Sequence, residues 1–575
     1  MSKTPDILGH PEFADIDRHL AQFVQRFSEG DLPIIAAALL SRNMRHGHIC
    51  LDLGMGAPAF EEPLSAFPWP NLKTWRKALA KSRAVGGPDK GLPLVLDDGG
   101  RFYLRRYWEY EQILAQGILA RCHRQTPADQ PTTGDLQDLA IETALVRRFV
   151  VISGGPGTGK TTTVLKILER MMSKPGGEKL RVVLTAPTGK AAARLQEMLR
   201  AGNGTGSVQD RLPKSASTLH RLLGPLPNSI YFRHNAKNPL PVDLVVVDEA
   251  SMVPLTMMAK LFDALPKRAR VILLGDRDQL SSVEPGAVLG DIANAASEPG
   301  PLNGGLVVLE KNYRFGNESN IFALSKAVRD GDIDRALEIL NSGERPDLGA
   351  GRTPPPAEVA EQLRQRVMAG YSGYARALDP AEALKEFKKF RVLCPFRVGP
   401  YGVENLNRII ENILREEGLI AGPANAYPGM PILITQNDDP LRLYNGDIGI
   451  LLPDPADRSL LLAWFIGQDG ELRRISPARL PEHEPGFAIT VHKSQGSEFD
   501  HVLLVLPDKD NPILTRELVY TGLTRARTRV EMWFQESVLR AAVNRKIQRG
   551  SGLKDRLCGA PPRSKEHQQL TFCLE

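Results

Sequence analysis

The chain has 575 residues, 42% apolar and 24% charged, with a formal net charge of +6. That length calls for several domains, and the composition allows buried cores rather than disorder. No apolar run approaches the roughly 18–20 residues of a membrane span, and the scattered cysteines Cys50, Cys122, Cys394, Cys558 and Cys573 form no C-x-x-C pair, which argues against a zinc ribbon and predicts free thiols.

The N-terminal region carries Asp6, Glu12, Asp15 and Asp17 rather than the basic-then-apolar order of a signal peptide, so a cytoplasmic protein is expected. Helical spacing follows (Ile16, Leu20, Phe23, Val24, then residues 34–40), then a Gly- and Pro-rich stretch at 54–70 and an aromatic, basic segment from Arg101 to Trp108. This mainly helical unit is expected to span residues 1–121 and to serve as a docking domain. Its Phe102, Tyr103, Tyr107 and Trp108, mixed with arginines, suit a protein interface or a strand-binding surface, or else close the unit's own core. A polar stretch at 125–134 reads as a linker.

Short apolar strands at 149–152, 182–184, 244–247 and 271–274 then alternate with helical stretches, predicting a parallel α/β unit over 135–342. A second linker is expected at 342–356, where glycines lead into Pro354, Pro355 and Pro356, followed by a second α/β unit over 357–575. Within it, short strands at 432–435, 447–452, 460–465 and 472–475 predict a small inserted β-barrel at about 429–480. Asp438-Asp439, Asn445-Gly446 and Asp469-Gly470 would supply its turns.

The first α/β unit carries the chemistry. Gly154, Gly155, Pro156, Gly157, Thr158, Gly159, Lys160 and Thr161 follow a strand, and Thr162 leads on into a helix. Glycines let backbone N–H groups converge on a phosphate at a helix start, Lys160 neutralises its charge, and the Thr161 hydroxyl suits Mg²⁺. A second strand ends in Asp248-Glu249, where Asp248 would support the metal and Glu249 take a proton from water. The pair predicts hydrolysis of a nucleoside triphosphate. Gln279 lies just beyond a third strand, positioned to sense a γ-phosphate. Arg314 and Arg525 carry guanidinium groups suited to transition-state charge. Glu386 and Lys388, in a charged helical run, are no more than a solvated face, and no nuclease centre is expected.

The ordered set resembles the superfamily 1 helicases: Gln137; the P-loop; Thr185 to Ala191; Ser217 to His220; Asp248-Glu249; Gly275 to Gln279; Asn312-Tyr313-Arg314; Thr490 to Phe499; Tyr520 to Arg525. Within them it is most similar to the RecD-type alpha subunits of exodeoxyribonuclease V. That likeness extends to Ala37–Ser41, Gly47–Leu51 and the segment before Trp108. The resemblance implies two RecA-like motor lobes with an SH3-like insert, and an ATP- and Mg²⁺-dependent helicase moving 5′-to-3′ on single-stranded DNA. It also implies duplex ends as substrate and RecB- and RecC-like partners, the former holding the nuclease. Gln137 would read adenine and Glu498 the ribose. Thr188, Lys190, His220, His492 and Ser494 would line the DNA path. A stand-alone helicase and an ATP-switched regulatory subunit are the alternatives.

Overall fold

The computed structural model describes residues 7–55, 69–122, 135–201, 213, 215–314, 319–343, 345–422, 426–438, 440–467 and 470–559. The linker expected at 125–134, Cys573, and parts of the 54–70 stretch and of two expected turns lie outside these.

The chain opens with helices Asp15–Gln25 and Leu32–Arg45 packed against each other and over a small sheet, order Leu51–Asp52, Arg101–Leu104, Leu94–Leu96, Val85–Gly86. The apolar stripe predicted at 34–40 is buried throughout. The aromatic segment is not a surface. Phe102 is fully buried in the N-terminal unit's own core, whereas Tyr103, Tyr107 and Trp108 pack into the core shared with the first parallel sheet. Those aromatics therefore fill cores, one local and one joint, rather than a docking surface. Helix Arg105–Cys122 lies against helix Leu255–Ala264 of the next unit, so Leu114, Ile118, Met258 and Phe262 share one core.

The first parallel sheet has six strands in the order Leu306–Leu309, Phe149–Gly154, Arg270–Gly275, Leu244–Val247, Val182–Ala186, Ser217–Thr218. Its central strands are apolar on both faces because helices cover both. Val245, Val247, Val271 and Leu273 point into one core, and Val150, Ile152, Val246 and Ile272 into the other. Burying each such side chain contributes about 1.5–3 kcal/mol.

The second sheet is also parallel, in the order Leu348–Arg352, Ala526–Phe534, Phe499–Val505, Phe390–Cys394, Ala488–Thr490. Its first strand occupies the stretch expected to be a linker. Gly349 and Gly351 read as loop residues, but an edge strand pairs on one side only, and their backbones lie against Glu531 and Trp533 of the neighbouring strand. Helices Asn320–Asp330 and Ile333–Asn341, assigned in sequence to the first unit, contribute Ile321, Leu324 and Leu337 to the second sheet's core.

The expected insert is a five-stranded antiparallel sheet, order Leu472–Ile475, Leu461–Ile466, Ile448–Pro453, Pro431–Ile434, His483–Pro485. Its last strand lies beyond the expected boundary at 480. The two outer strands, as described, do not pair with each other. At the other end of the chain, helix Leu553–Cys558 leaves the second sheet. It packs on helices Arg105–Cys122 and Val288–Ala296, with Leu553 and Leu557 buried in the first unit's core. Among the described residues no helix is long and apolar enough to cross a membrane.

Candidate ATP site and nucleic-acid groove

The strand Phe149–Gly154 runs into the P-loop, and helix Lys160–Met172 begins at Lys160. Gly157 and Gly159 take φ of 82° and 81°, a left-handed backbone that disfavours side chains. A Cβ on Gly157 would also meet Arg314, and one on Gly159 would meet Gln137. The loop is therefore pressed between Gln137 on one side and Asn312–Arg314 on the other. The Asn312 amide donates to the Pro156 carbonyl at 2.9 Å, and the Tyr313 N–H to the Gly157 carbonyl at 2.8 Å. Lys160 Nζ lies 2.5 Å from the Gly154 carbonyl and 3.0 Å from that of Gly155, at the mouth of the loop.

Strand Leu244–Val247 delivers Asp248 and Glu249 to the same edge. Glu249 has φ 49°, strained for a side-chain-bearing residue, of order 1–3 kcal/mol. Its N–H donates to Asp248 Oδ1 at 2.9 Å. Burial raises the Asp248 pKa, and the neighbouring Glu249 charge adds to it.

Groups from the two parallel sheets meet here. Arg525, 3% exposed, donates from Nη2 to Gln279 Oε1 at 2.9 Å. Gln279 in turn donates to Asp276 Oδ2 at 3.1 Å, which also accepts the Tyr520 hydroxyl at 2.9 Å. The Gln495 amide donates to the Leu280 carbonyl at 2.7 Å, and the Leu280 N–H to Thr521 Oγ1 at 2.9 Å. Glu498 accepts from Arg314 at 2.6 Å and Arg194 at 2.7 Å. Burial raises its pKa, but the two guanidinium groups outweigh this and hold it below the usual range. Arg314 and Arg525 are themselves shifted down by burial.

A cavity of about 240 Å³ beside the loop is lined by Gln137, Thr158, Leu309, Lys311 and Tyr313 among others. Half-exposed Tyr313 lines it together with Gln137, with Lys311 Nζ 5.0 Å from the ring centre. Glu498, expected at the ribose, is not among the lining residues and sits instead between its two arginines.

The residues expected along the DNA path divide. Thr188 and Lys190 stand at the start of helix Gly189–Ala201, with Lys190 Nζ donating to Ser497 Oγ at 2.6 Å across the lobes. His220 is exposed on the short helix Leu219–Leu223, its ring 5.8 Å from that of Phe232. His492 is partly buried, and burial, with Arg549 second, lowers its pKa. Ser494 does not line a groove. It is fully buried, and its hydroxyl donates to the Val491 carbonyl at 2.7 Å, a bond that closes the turn before Gln495. The insert reaches this face through Tyr444, packed against Gly189 with the Arg221 guanidinium 4.7 Å from its ring centre.

Comparison with known proteins places these features in a family. Residues 11–103 match the N-terminal domain of RecBCD enzyme subunit RecD, residues 137–285 an AAA domain and residues 485–532 a UvrD-like helicase C-terminal domain. The RecBCD enzyme subunit RecD of Mycolicibacterium smegmatis is 39% identical over 568 residues, covering 95% of this chain and 98% of that protein. The chain belongs to the RecD family of RecBCD enzyme subunits. The Haemophilus influenzae RecD subunit is 34% identical, over 91% of this chain and 93% of its own length. The ATP-dependent RecD2 DNA helicase of Deinococcus radiodurans is 34% identical over 75% of this chain and 54% of its own. A solved Pif1 helicase from Bacteroides, in complex with ADP-AlF3 and ssDNA, aligns with 71% of this chain and 94% of its own at 17% identity and a TM-score of 0.39.

Sequence reasoning missed Arg194, Tyr520, Gln495, Tyr444 and Arg221. The first lies in a helix whose pattern is only amphipathic, so nothing local sets it apart from a surface arginine. Tyr520 and Gln495 do stand inside the motifs that were read, and that position was the available signal.

Proposed function

We infer that this chain is an ATP-hydrolysing DNA helicase that works as the RecD-type subunit of a RecBCD-like helicase–nuclease, on single strands at duplex ends. The observation that carries the reading is the junction of Gln279 with Arg525 and of Arg314 with Glu498, because it joins both parallel sheets at the P-loop. A γ-phosphate lost from that junction changes what holds the lobes together, which is how hydrolysis becomes movement.

In this mechanism the P-loop N–H groups and Lys160 hold the phosphates, Glu249 takes the proton of the attacking water, and Arg314 and Arg525 meet the charge that develops. Thr161 and Asp248 fit Mg²⁺: both offer hard oxygens, and Asp248, whose ionised form is disfavoured by burial, gains from a cation beside it. Mg²⁺ bound there would neutralise phosphate charge. Gln137 and Tyr313 are assigned to adenine. Thr188, Lys190, His220 and His492 are assigned to the strand, gripped through phosphates and so without sequence preference. The antiparallel insert is taken as SH3-like, the polarity as 5′-to-3′, the partners as RecB- and RecC-like, and the site of action as the cytoplasm.

Docking to partners needs an exposed surface, and the buried aromatics of 101–108 do not supply one. Ile16, Phe23 and Phe27 do: they are exposed at 59%, 39% and 37%, with the two Phe rings 5.2 Å apart. The functional reading is tested by strand displacement with the full-length chain on duplexes tailed at either end. Unwinding from the 5′-tailed substrate, with ATP turnover stimulated by single strands, is expected. ATP turnover without displacement, alone and in the assembled complex, would establish the switch reading instead.

A further inference from the structure

After helix Glu536–Asn544 the chain crosses from the second sheet to the first, and residues 545–552 are tied down at three places. At the start, the Arg545 carbonyl accepts the Arg516 N–H at 2.9 Å. The Ile547 N–H lies 3.2 and 3.1 Å from the two Glu517 carboxylate oxygens. Arg516 and Glu517 open the helix Arg516–Leu523, which carries Tyr520 and Thr521 and ends just ahead of Arg525.

In the middle, Arg549 Nη1 lies 2.6, 2.9 and 2.8 Å from the carbonyl oxygens of Ser282, Glu284 and Gly286. These three belong to the loop that leaves the first sheet directly after Gln279 and Leu280. At the far end, the Gly550 carbonyl accepts the Ile49 N–H at 2.7 Å, and the Gly550 N–H donates to His48 Nδ1 at 2.8 Å. The Ser551 hydroxyl and the Gly552 N–H both reach Glu111 Oε1, at 2.8 and 2.9 Å. The gripped loop itself touches the same N-terminal segment, the Gly286 N–H donating to the Gly47 carbonyl at 2.9 Å.

We infer that residues 545–552 form a coupling strap in which Arg549 is a positioning residue for ATP hydrolysis, relaying the state of the N-terminal domain to the Gln279–Arg525 contact. The Arg549 guanidinium donates to the carbonyls of Ser282, Glu284 and Gly286 and not to Gln279 or the P-loop, and its charge also acts on His48 and His492. It fixes the loop that continues from Gln279, while Ile547 fixes the helix that leads to Arg525. One short segment therefore sets the spacing of the two lobes' sensors, and its other end is held by His48, Ile49 and Glu111. A cavity of about 1420 Å³, its walls shared by Lys546, Arg549, Gln279, Ser281, His48 and Asp52, adjoins the strap and gives strap and loop room to shift without breaking a packed core. A protein bound to the N-terminal domain would act on the motor's turnover rate through this route.

The inference rests on the proposed ATP hydrolysis, and the test separates the two. Full-length wild type, R549A and R549K are compared in ATP hydrolysis with and without an oligothymidylate strand, and in amide hydrogen exchange. R549A is expected to lower the DNA-stimulated kcat about five- to tenfold with KM for ATP within about twofold, because ground-state nucleotide binding is untouched. R549K, which keeps a charged nitrogen facing the three carbonyls, recovers at least about half of the rate. In R549A, exchange at 282–286 and at 47–50 rises together while strand Phe149–Gly154 keeps its protection. An unchanged kcat in R549A, a K variant no better than alanine, or lost protection extending to Phe149–Gly154 would overturn the strap. A wild-type chain that does not hydrolyse ATP would overturn the functional reading itself.

Discussion

The two parallel sheets of this molecule share an architecture and divide the chemistry. In the first, strand Phe149–Gly154 turns through glycines into a helix that starts on Lys160. In the second, the inner strand Phe390–Cys394, one in from the sheet edge, runs into Pro395, Phe396 and Arg397, and its following helix Val403–Glu416 begins without a lysine. The second sheet instead presents Glu498 and Arg525 to the first. In the proposed mechanism one lobe holds phosphate and the other responds to it. The first sheet delivers Asp248 and the P-loop from the carboxyl ends of buried strands, and the second holds Glu498 and Arg525 immediately before two buried strands, so in both the core fixes the backbone beside the functional side chain.

Breaking the holding side has the largest expected effect. Lys160→Ala and Glu249→Gln should each lower ATP hydrolysis by about 10³-fold or more, measured as phosphate release. Glu249→Gln retains ATP in equilibrium binding, since only proton removal is lost, whereas Lys160→Ala binds it less tightly. Wild-type turnover by Glu249→Gln would show that the first lobe does not supply the base.

On the responding side, Arg525→Ala and Arg314→Ala should reduce kcat about 10²–10³-fold and leave KM for ATP within a few-fold, because the charge they meet develops in the transition state. A rise in KM with kcat preserved would move both arginines to ground-state binding and erase the contrast between the lobes.

Assembly should depend on neither sheet. Ile16→Asp combined with Phe23→Asp is expected to cost roughly tenfold or more in co-purification with RecB- and RecC-like subunits, with DNA-stimulated ATP turnover unchanged. Surface substitutions are the sound test here, since deleting the whole N-terminal region would uncover the core that helix Arg105–Cys122 shares with Phe262. Normal assembly by the double variant would return the docking surface to other residues.

The smallest effect concerns Lys190, assigned above to the DNA strand. Burial lowers the Lys190 pKa to about 8. Its charge is therefore present below that pH and lost above it. Affinity for single-stranded DNA, followed by fluorescence anisotropy, should fall about two- to fivefold from pH 7 to pH 9, as one phosphate contact is lost. Lys190→Arg, charged throughout this range, should flatten the profile. A pH dependence of equal size in the arginine variant would assign it elsewhere.

Much of this was legible without coordinates. The P-loop, Asp248-Glu249 and Gln279 stand on local patterns: an apolar strand, a turn that only glycine permits, a polar residue beyond a strand end; Arg314 and Arg525 stand out only by their place in the ordered motif series. Backbone sterics and the two-sided burial of parallel strands enforce those patterns locally, so they survive as sequence. Position relative to the other lobe does not. Arg194 and Arg314 converge on Glu498 from distant parts of the chain, Ser494 turned inward to close its own turn, and the aromatics of 101–108 went to the core. Gly349 and Gly351 became an edge strand because a neighbour was there to pair with. By itself the sequence determined the family of folds and the nucleotide chemistry, since both rest on contacts within a few residues. Only the tertiary structure decided which charged groups pair between the lobes, which aromatic faces stay exposed, and where residues 545–558 are fastened. Those outcomes depend on packing between segments hundreds of residues apart, for which no local pattern exists.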